Sequence, residues 1–167
     1  MATTTTYLHT PDARETLLRG PLGAELLLAR AGGDGSFSLV EHPLAARALG
    51  SPVHTHRNED EYSYVLEGSI GVEIGGESLV VNAGDLVEKP RGIPHAFWNP
   101  TDRPARLLEL IVPGGLERYF AELAEILGTP GRPDLNALGA LAARYDLEVD
   151  PGSVPRLVAQ HGLLLPG

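Results

Sequence analysis

The chain has 167 residues, of which 43% are hydrophobic and 21% charged, and this composition predicts one folded domain rather than a disordered segment. Its 22 acidic and 13 basic residues give a formal charge of −9, which argues against nucleic acid or an anionic membrane as a partner. No cysteine is present, so disulfides, thiolate metal sites and a cysteine nucleophile are excluded.

The N-terminal stretch MATTTTYLHTPD is polar and rich in threonine, and we interpret residues 1–23 as an N-terminal arm. It lacks a charged segment followed by an apolar one, and no run in the chain has the length needed to span a bilayer. We therefore expect a cytoplasmic protein without a membrane partner.

Residues 24–113 contain many short aliphatic and aromatic segments, each closed by Gly, Pro, Asn or Asp. Several alternate in polarity, as in SIGVEIGG, where Ile70, Val72 and Ile74 fall on one face of a strand. This pattern of short alternating segments separated by turn residues predicts an all-β barrel or sandwich.

Residues 114–167 change to a helical period, with apolar residues recurring every three or four positions from Leu116 to Leu127. Two further helices are predicted in PDLNALGALAARYD and SVPRLVAQHG. We interpret this C-terminal helical extension as a cover over a barrel end or a sheet face. A dimer contact or a cap over a cavity is the alternative.

Two segments of the predicted sheet carry imidazole and carboxylate side chains. His54 and His56 are two residues apart, so both project from one face of an extended strand. Glu61 lies at an odd offset from them, and a bend in the intervening RNED is needed to return it to that face. His95 follows a turn rich in Pro and Gly. Each histidine alone is as compatible with a surface or structural role, but together they indicate a candidate metal site.

The same two segments resemble the paired motifs of the cupin superfamily. The first motif is matched by Gly50, His54, His56, Glu61 and Gly68, and the second by Gly84, Pro90, Gly92, His95 and Asn99. Gly50 stands closer to the histidines than the usual pattern places it. The spacer, residues 69–83, is as short as in small bacterial cupins.

The resemblance implies an antiparallel jelly-roll β-barrel with C-terminal helices packed on it. It also implies one divalent transition metal (Fe, Ni, Mn, Co, Cu or Zn) held by His54, His56, Glu61 and His95. Such an ion with three neutral imidazoles and one carboxylate carries a formal charge of +1, which attracts an anionic, chelating small molecule.

Strand parity predicts which neighbours share the interior with these residues. Ser63 and Val65 lie on the face of Glu61, and Phe97 lies on that of His95, so we predict that these three line a substrate pocket. A further resemblance to cupins of the quercetin 2,3-dioxygenase type implies that Glu61 also acts as a catalytic base.

Other titratable residues fall outside the motifs. We expect Glu109 on a solvated outer face, with a position behind the metal ligands as the alternative. Lys89 is expected in a solvated turn. The remaining histidines, His9, His42 and His161, are expected at the surface.

Taken together, the sequence predicts a metal-dependent dioxygenase that acts on a small chelating enol or flavonol-like aromatic compound. A non-redox isomerase or cyclase of a polyketide or β-dicarbonyl compound is the alternative, as is a non-catalytic small-molecule-binding protein. Cupins commonly pair through sheet edges, so the resemblance implies a homodimer, to which the Thr-rich arm could add a strand.

Overall fold

The computed structural model describes residues 8–33, 35–129 and 133–164. The strands are β1 (Glu15–Leu18), β2 (Ala24–Arg30), β3 (Phe37–Leu44), β4 (Leu49–His56), β5 (Asp60–Glu67), β6 (Ser69–Ile74), β7 (Glu77–Asn82), β8 (Leu86–Lys89), β9 (His95–Trp98), β10 (Ala105–Val112) and β11 (Leu147–Asp150). The helices are α1 (Glu117–Leu127), α2 (Leu135–Arg144) and α3 (Ser153–His161). A single 3-10 turn, Pro11–Ala13, precedes β1.

The strands form two antiparallel sheets that face each other. One has the order β1-β2-β3-β10-β5-β8, and the other has the order β11-β4-β9-β6-β7. Leu44, Val65 and Leu107 of the first sheet pack against Ile70 and Val72 of the second in a shared apolar core. This is a jelly-roll-type barrel with C-terminal helices, as the sequence predicts.

Alternation along the strands decides which residues enter the barrel. In β10, Ala105, Leu107, Glu109 and Ile111 are buried, while the residues between them are more exposed. A tight turn at Gly75 and Gly76, both with positive φ, joins β6 to β7 and fixes their pairing. Because side chains alternate, this register sets the inner face of the whole hairpin.

The C-terminal extension is built onto both sheets. α1 packs against β1 and β2, and the outer face of the five-stranded sheet is covered by Leu157 of α3, which contacts Trp98 and Ala96. Between α2 and α3 the chain adds β11 to the free edge of β4. The sequence analysis missed this strand because LEVD is short and lies between two helical segments.

Two of these strands fall outside the range assigned to the barrel. β1 belongs to residues 1–23, the expected arm, and β11 belongs to residues 114–167, the expected helical extension. The three-part division of the chain stays a prediction. Within the described ranges, no helix is long and apolar enough to cross a membrane.

The covering role of α3 can be tested with Leu157→Ala. Leu157 is 0% exposed, so truncation removes buried surface and leaves a cavity, and we expect unfolding to cost about 2 to 5 kcal/mol less. The matched control is Leu135→Ala, because Leu135 is 75% exposed and its truncation should change stability by less than about 0.5 kcal/mol. Urea unfolding measures both. Equal effects would contradict this packing of α3.

Candidate metal centre

Four side chains converge inside the barrel from both sheets. His54 and His56 come from β4 and His95 from β9, where His54 and His95 are paired in register. Glu61 comes from β5 of the opposite sheet. One ligand atom of each residue lies within 4.8 Å of one atom of every other.

The chain turns between the second histidine and the carboxylate. β4 ends at His56 and β5 begins at Asp60, so the RNED segment carries the backbone from one sheet to the other. This crossing supplies the bend that the odd offset of Glu61 requires. Imidazole therefore faces carboxylate across the barrel interior.

The outer ring nitrogens orient the histidines. Nδ1 of His54 lies 3.0 Å from the carbonyl oxygen of Pro52, and Nδ1 of His95 lies 3.0 Å from that of Ile93. A carbonyl only accepts, so each Nδ1 carries the proton and each Nε2 keeps its lone pair. Nδ1 of His56 lies 3.4 Å from Oε2 of Glu59. All three Nε2 atoms therefore face inward.

The inward distances are short. Nε2 of His54 and Nε2 of His56 are 3.1 Å apart. Nε2 of His56 lies 3.4 Å from Oε1 of Glu61, and Nε2 of His95 lies 3.2 Å from Oε2. Among the described residues, Nε2 of His95 is fully buried without a hydrogen bond.

Burial favours the neutral form of the His54 and His95 imidazoles. It lowers the pKa of His54 to about 3, with a contribution from the other two histidines, and it also lowers the pKa of His95. Converging lone pairs repel one another unless a cation lies between them. Three imidazole nitrogens and one carboxylate oxygen, with no sulfur, suit a divalent transition metal. The four residues thus fit the ion that the sequence predicts.

A buried network stands behind Glu61. Nζ of Lys89 lies 2.8 Å from Oε2 of Glu61 and 2.8 Å from Oε2 of Glu109, and the hydroxyl of Ser63 donates to Oε1 of Glu109 at 2.9 Å. Lys89 is 1% exposed and Glu109 is 2% exposed. The expectations of a solvated Lys89 and of an outer-face Glu109 are therefore wrong.

Charge within this network shifts both carboxyl groups. Burial would raise the pKa of Glu61, but Lys89, His56 and His95 together outweigh it and hold that pKa well below its usual value. Burial raises the pKa of Glu109 to about 7, with the negative charge of Glu61 adding to the effect and Lys89 opposing it. Glu61 is therefore the ionised partner at neutral pH.

A pocket lined by three of the four convergent residues, His54, His56 and Glu61, opens toward α1. The cavity has a volume of about 100 Å³ and opens to solvent at its mouth. Its apolar wall is formed by Leu22, Phe97, Leu116, Tyr119, Phe120, Leu123, Leu147 and Val149. α1 therefore caps this cavity, which the sequence analysis gave as the alternative role of the helices.

The predicted pocket residues take different positions. Phe97 lines the pocket, as strand parity predicts. Ser63 and Val65 are buried on the inner face, but Ser63 bonds to Glu109 and Val65 packs in the apolar core. Neither of these two is among the residues that line the cavity.

His42 is a pocket residue that the sequence analysis placed at the surface, and that expectation is wrong. It is 2% exposed, and its Nδ1 donates to the carbonyl oxygen of Gly23 at 2.8 Å. Its ring meets Phe120 of α1 edge on, with centroids 5.0 Å apart. The fixed Nδ1 proton leaves Nε2 as an acceptor, and it bonds to no described side chain or backbone group.

The other two histidines lie away from the pocket. His9 is exposed, as expected. His161 instead stacks on the ring of Trp98, with centroids 4.0 Å apart.

Strand parity is the sequence signal that could have placed Glu109 and Lys89 inside the barrel. Glu109 has the strand parity of Leu107 and Ile111, and Lys89 has that of Val87. Parity therefore places both on the inner face. The general preference of charged side chains for solvent overrode that signal in the sequence analysis.

Comparison with known proteins agrees with this architecture. Residues 42–111 match the family model described as a cupin domain. The chain thus carries a cupin domain over that span. Both motifs and all four convergent residues fall within the matched span.

Among curated relatives, this cupin is 28% identical to quercetin 2,3-dioxygenase of Bacillus subtilis over 138 residues, which is 78% of the chain and 40% of the relative. It is 33% identical to the probable oxidoreductase virH of Hypocrea virens over 87 residues, which is 50% of the chain and 40% of the relative. Each match therefore spans less than half the length of the relative.

Solved structures share the fold. KdgF from Halomonas sp. has a TM-score of 0.58 and 19% identity, over 66% of this cupin and 96% of that chain. A cupin sugar phosphate isomerase from Silicibacter pomeroyi has a TM-score of 0.54 and 25% identity, over 62% of this cupin and 74% of that chain.

The buried His42 predicts a pH dependence of stability. Burial lowers its pKa to about 4, against about 6.5 in an unfolded chain. The neutral His42 side chain stabilises the folded state fully above pH 6.5, and this stabilisation is lost as the pH falls toward 4 because only the unfolded chain then binds the proton. Between pH 6.5 and pH 4, we therefore expect the unfolding free energy of the metal-free wild-type protein to fall by about 3 kcal/mol more than that of His42→Gln.

Urea unfolding at pH 6.5 and pH 4 in the presence of a chelator measures this difference. His9→Gln is the matched control, because His9 is exposed and should not change the slope. Parallel pH profiles for the wild-type protein and His42→Gln would show that His42 is not buried in neutral form.

Proposed function

We propose that this cupin is a metal-dependent enzyme, a dioxygenase that acts on a small chelating enol or flavonol-like aromatic compound. The observation that carries the proposal is the pocket itself. His54, His56 and Glu61 of the four-residue cluster lie at one end, and aromatic and aliphatic side chains form the wall toward α1. The relatives named as a quercetin dioxygenase and a probable oxidoreductase support the redox assignment.

The residues of the centre fit one divalent ion held by His54, His56, Glu61 and His95. When bound, the ion supplies Lewis acidity and, if it is redox active, a route to dioxygen chemistry. Nitrogen and oxygen donors accept Fe, Ni, Mn, Co, Cu or Zn, and geometry rather than affinity order selects among them.

The pocket wall determines which compounds fit. Phe97 and Phe120 offer ring faces and edges, and Leu123 of α1 and Leu116 just before it add aliphatic surface. A flat aromatic molecule is excluded from water there, with its ionised oxygens turned toward the polar end. This arrangement orients an enolate without requiring a polar group on the far side of the ligand.

Glu61 has a second role in this proposal. Lys89 keeps it ionised at neutral pH, so its carboxylate is in the form that accepts a proton from a substrate hydroxyl. We therefore propose Glu61 as both a metal ligand and the catalytic base.

A non-redox reaction is the second candidate, and Glu109 favours it. This buried carboxyl lines the pocket, and its pKa of about 7 lets it hold or release a proton near neutrality. Proton transfer to or from an enol would then need no dioxygen.

The experiment that tests the proposal is metal analysis of protein purified without added metal, followed by oxygen uptake with a panel of flavonols and β-diketones. Iron, nickel, copper, manganese or cobalt together with uptake supports the dioxygenase. Zinc with conversion of a β-diketone but no uptake supports the non-redox enzyme. Binding of panel compounds without conversion indicates a non-catalytic binding protein.

His56→Ala tests the ligand set directly. Loss of one imidazole should reduce bound metal by at least about tenfold while the far-ultraviolet circular dichroism stays rich in β-structure. His9→Ala is the control, because His9 is exposed and distant in sequence from both motifs. Full metal occupancy in His56→Ala would exclude His56 as a ligand.

We also propose a homodimer in a cytoplasmic setting. Exposed apolar side chains on β7 and β8, Leu79, Val80 and Leu86, offer surface for a second copy. Equilibrium sedimentation should give about 35 kDa, twice the 17.7 kDa of one chain. A species near 18 kDa at micromolar concentration would contradict the dimer.

A further inference from the structure

Lys89 lies at the centre of a buried chain of polar contacts on the inner face of the six-stranded sheet. Glu61 and Lys89 are paired across β5 and β8, and Ser63 and Glu109 are paired across β5 and β10. Adjacent strands therefore place carboxylate, ammonium, carboxylate and hydroxyl in contact. Lys89 bridges the two carboxylates with both contacts at 2.8 Å.

The two oxygens of Glu61 are not equivalent because of this contact. Oε2 lies 2.8 Å from the ammonium of Lys89 and 3.2 Å from Nε2 of His95. Oε1 lies 3.4 Å from Nε2 of His56. The Lys89 contact thus fixes the carboxylate plane and leaves Oε1 on the side of His56.

Stability alone does not account for such a network. Apolar residues of similar volume are often as stable as a buried ion pair, because taking the charges out of water costs most of what their attraction returns. Here the charges stand beside the four convergent residues, and Lys89 and Glu109 both line the pocket. We therefore look for the role of the network in the placement of the Glu61 side chain and not in the stability of the core.

We propose that Lys89, anchored by Glu109, is a positioning residue that fixes Glu61 toward the three histidines for metal binding. The inference rests on the metal centre proposed above. Lys89 acts only through Glu61, so its effect on metal binding must disappear when Glu61 is absent.

Co(II) titration of the metal-free full-length chain, followed by visible absorption, tests this inference. Lys89→Met should weaken Co(II) binding by about tenfold or more and change the visible band, since Glu61 loses the contact that orients it. Lys89→Gln keeps amide donors and should lose less. Glu109→Ala should weaken binding in the same direction, and Glu109→Gln, which keeps an oxygen acceptor for Lys89, should lose less than Glu109→Ala.

The decisive comparison is made in a Glu61→Ala background. There, adding Lys89→Met should change the Co(II) dissociation constant by less than about twofold, because no carboxylate remains to be oriented. A tenfold loss in that background would show that Lys89 acts by another route. Unchanged or tighter binding in Lys89→Met alone would also overturn the inference.

Arg156→Met is the matched control. It removes a bidentate ion pair with Glu73 on the opposite side of the five-stranded sheet, so Co(II) binding should stay within about twofold of wild type. Circular dichroism confirms folding of each variant, and the Lys89→Gln and Glu109 variants carry the test if Lys89→Met does not fold. Failure of the wild-type chain to bind Co(II) would refute the metal centre, whereas wild-type binding with an unaffected Lys89→Met refutes only the positioning role.

Discussion

The structure of the site depends on keeping one carboxylate ionised inside an apolar barrel. Transfer of a carboxylate from water into a protein interior is strongly unfavourable unless charge and hydrogen-bond partners are supplied. Glu61 receives the ammonium of Lys89 on one side and faces His56 and His95 on the other. The two sheets thereby meet in polar contacts between Glu61 and the histidines as well as in apolar packing.

The pocket is assembled from two parts of the chain with different origins. Its polar end lies within residues 42–111, the span that matches the cupin family. Much of its apolar wall comes after that span, from α1 and from β11, which pairs with the histidine-bearing β4. We infer that the chemistry resides in the shared barrel and that substrate selection resides in the C-terminal extension.

Spacing predicted an all-β barrel or sandwich and a candidate site at His54, His56 and Glu61, and the resemblance to cupins implied the jelly roll and added His95 to the ligand set. Two-residue periodicity places His54 beside His56, and a turn of defined length returns Glu61 to them. Lys89, Glu109 and His42 depend on contacts between strands that are distant in sequence, such as the 20 residues separating Lys89 from Glu109. Periodicity assigns a side chain to a face, but only the assembled sheets show that a charge on that face has a partner.

The charge at the polar end of the pocket determines whether an anionic substrate can bind before the metal does. Glu61 contributes −1 and Lys89 contributes +1, while Glu109, whose pKa is about 7, contributes between 0 and −1, so the polar end carries a formal charge between 0 and −1 within a protein of net charge −9. A dication held there would change that local charge to between +1 and +2. In the enzyme proposed above, an enolate would thus be attracted only to the metal-loaded pocket, which ties selection of an anionic substrate to prior occupation of the centre.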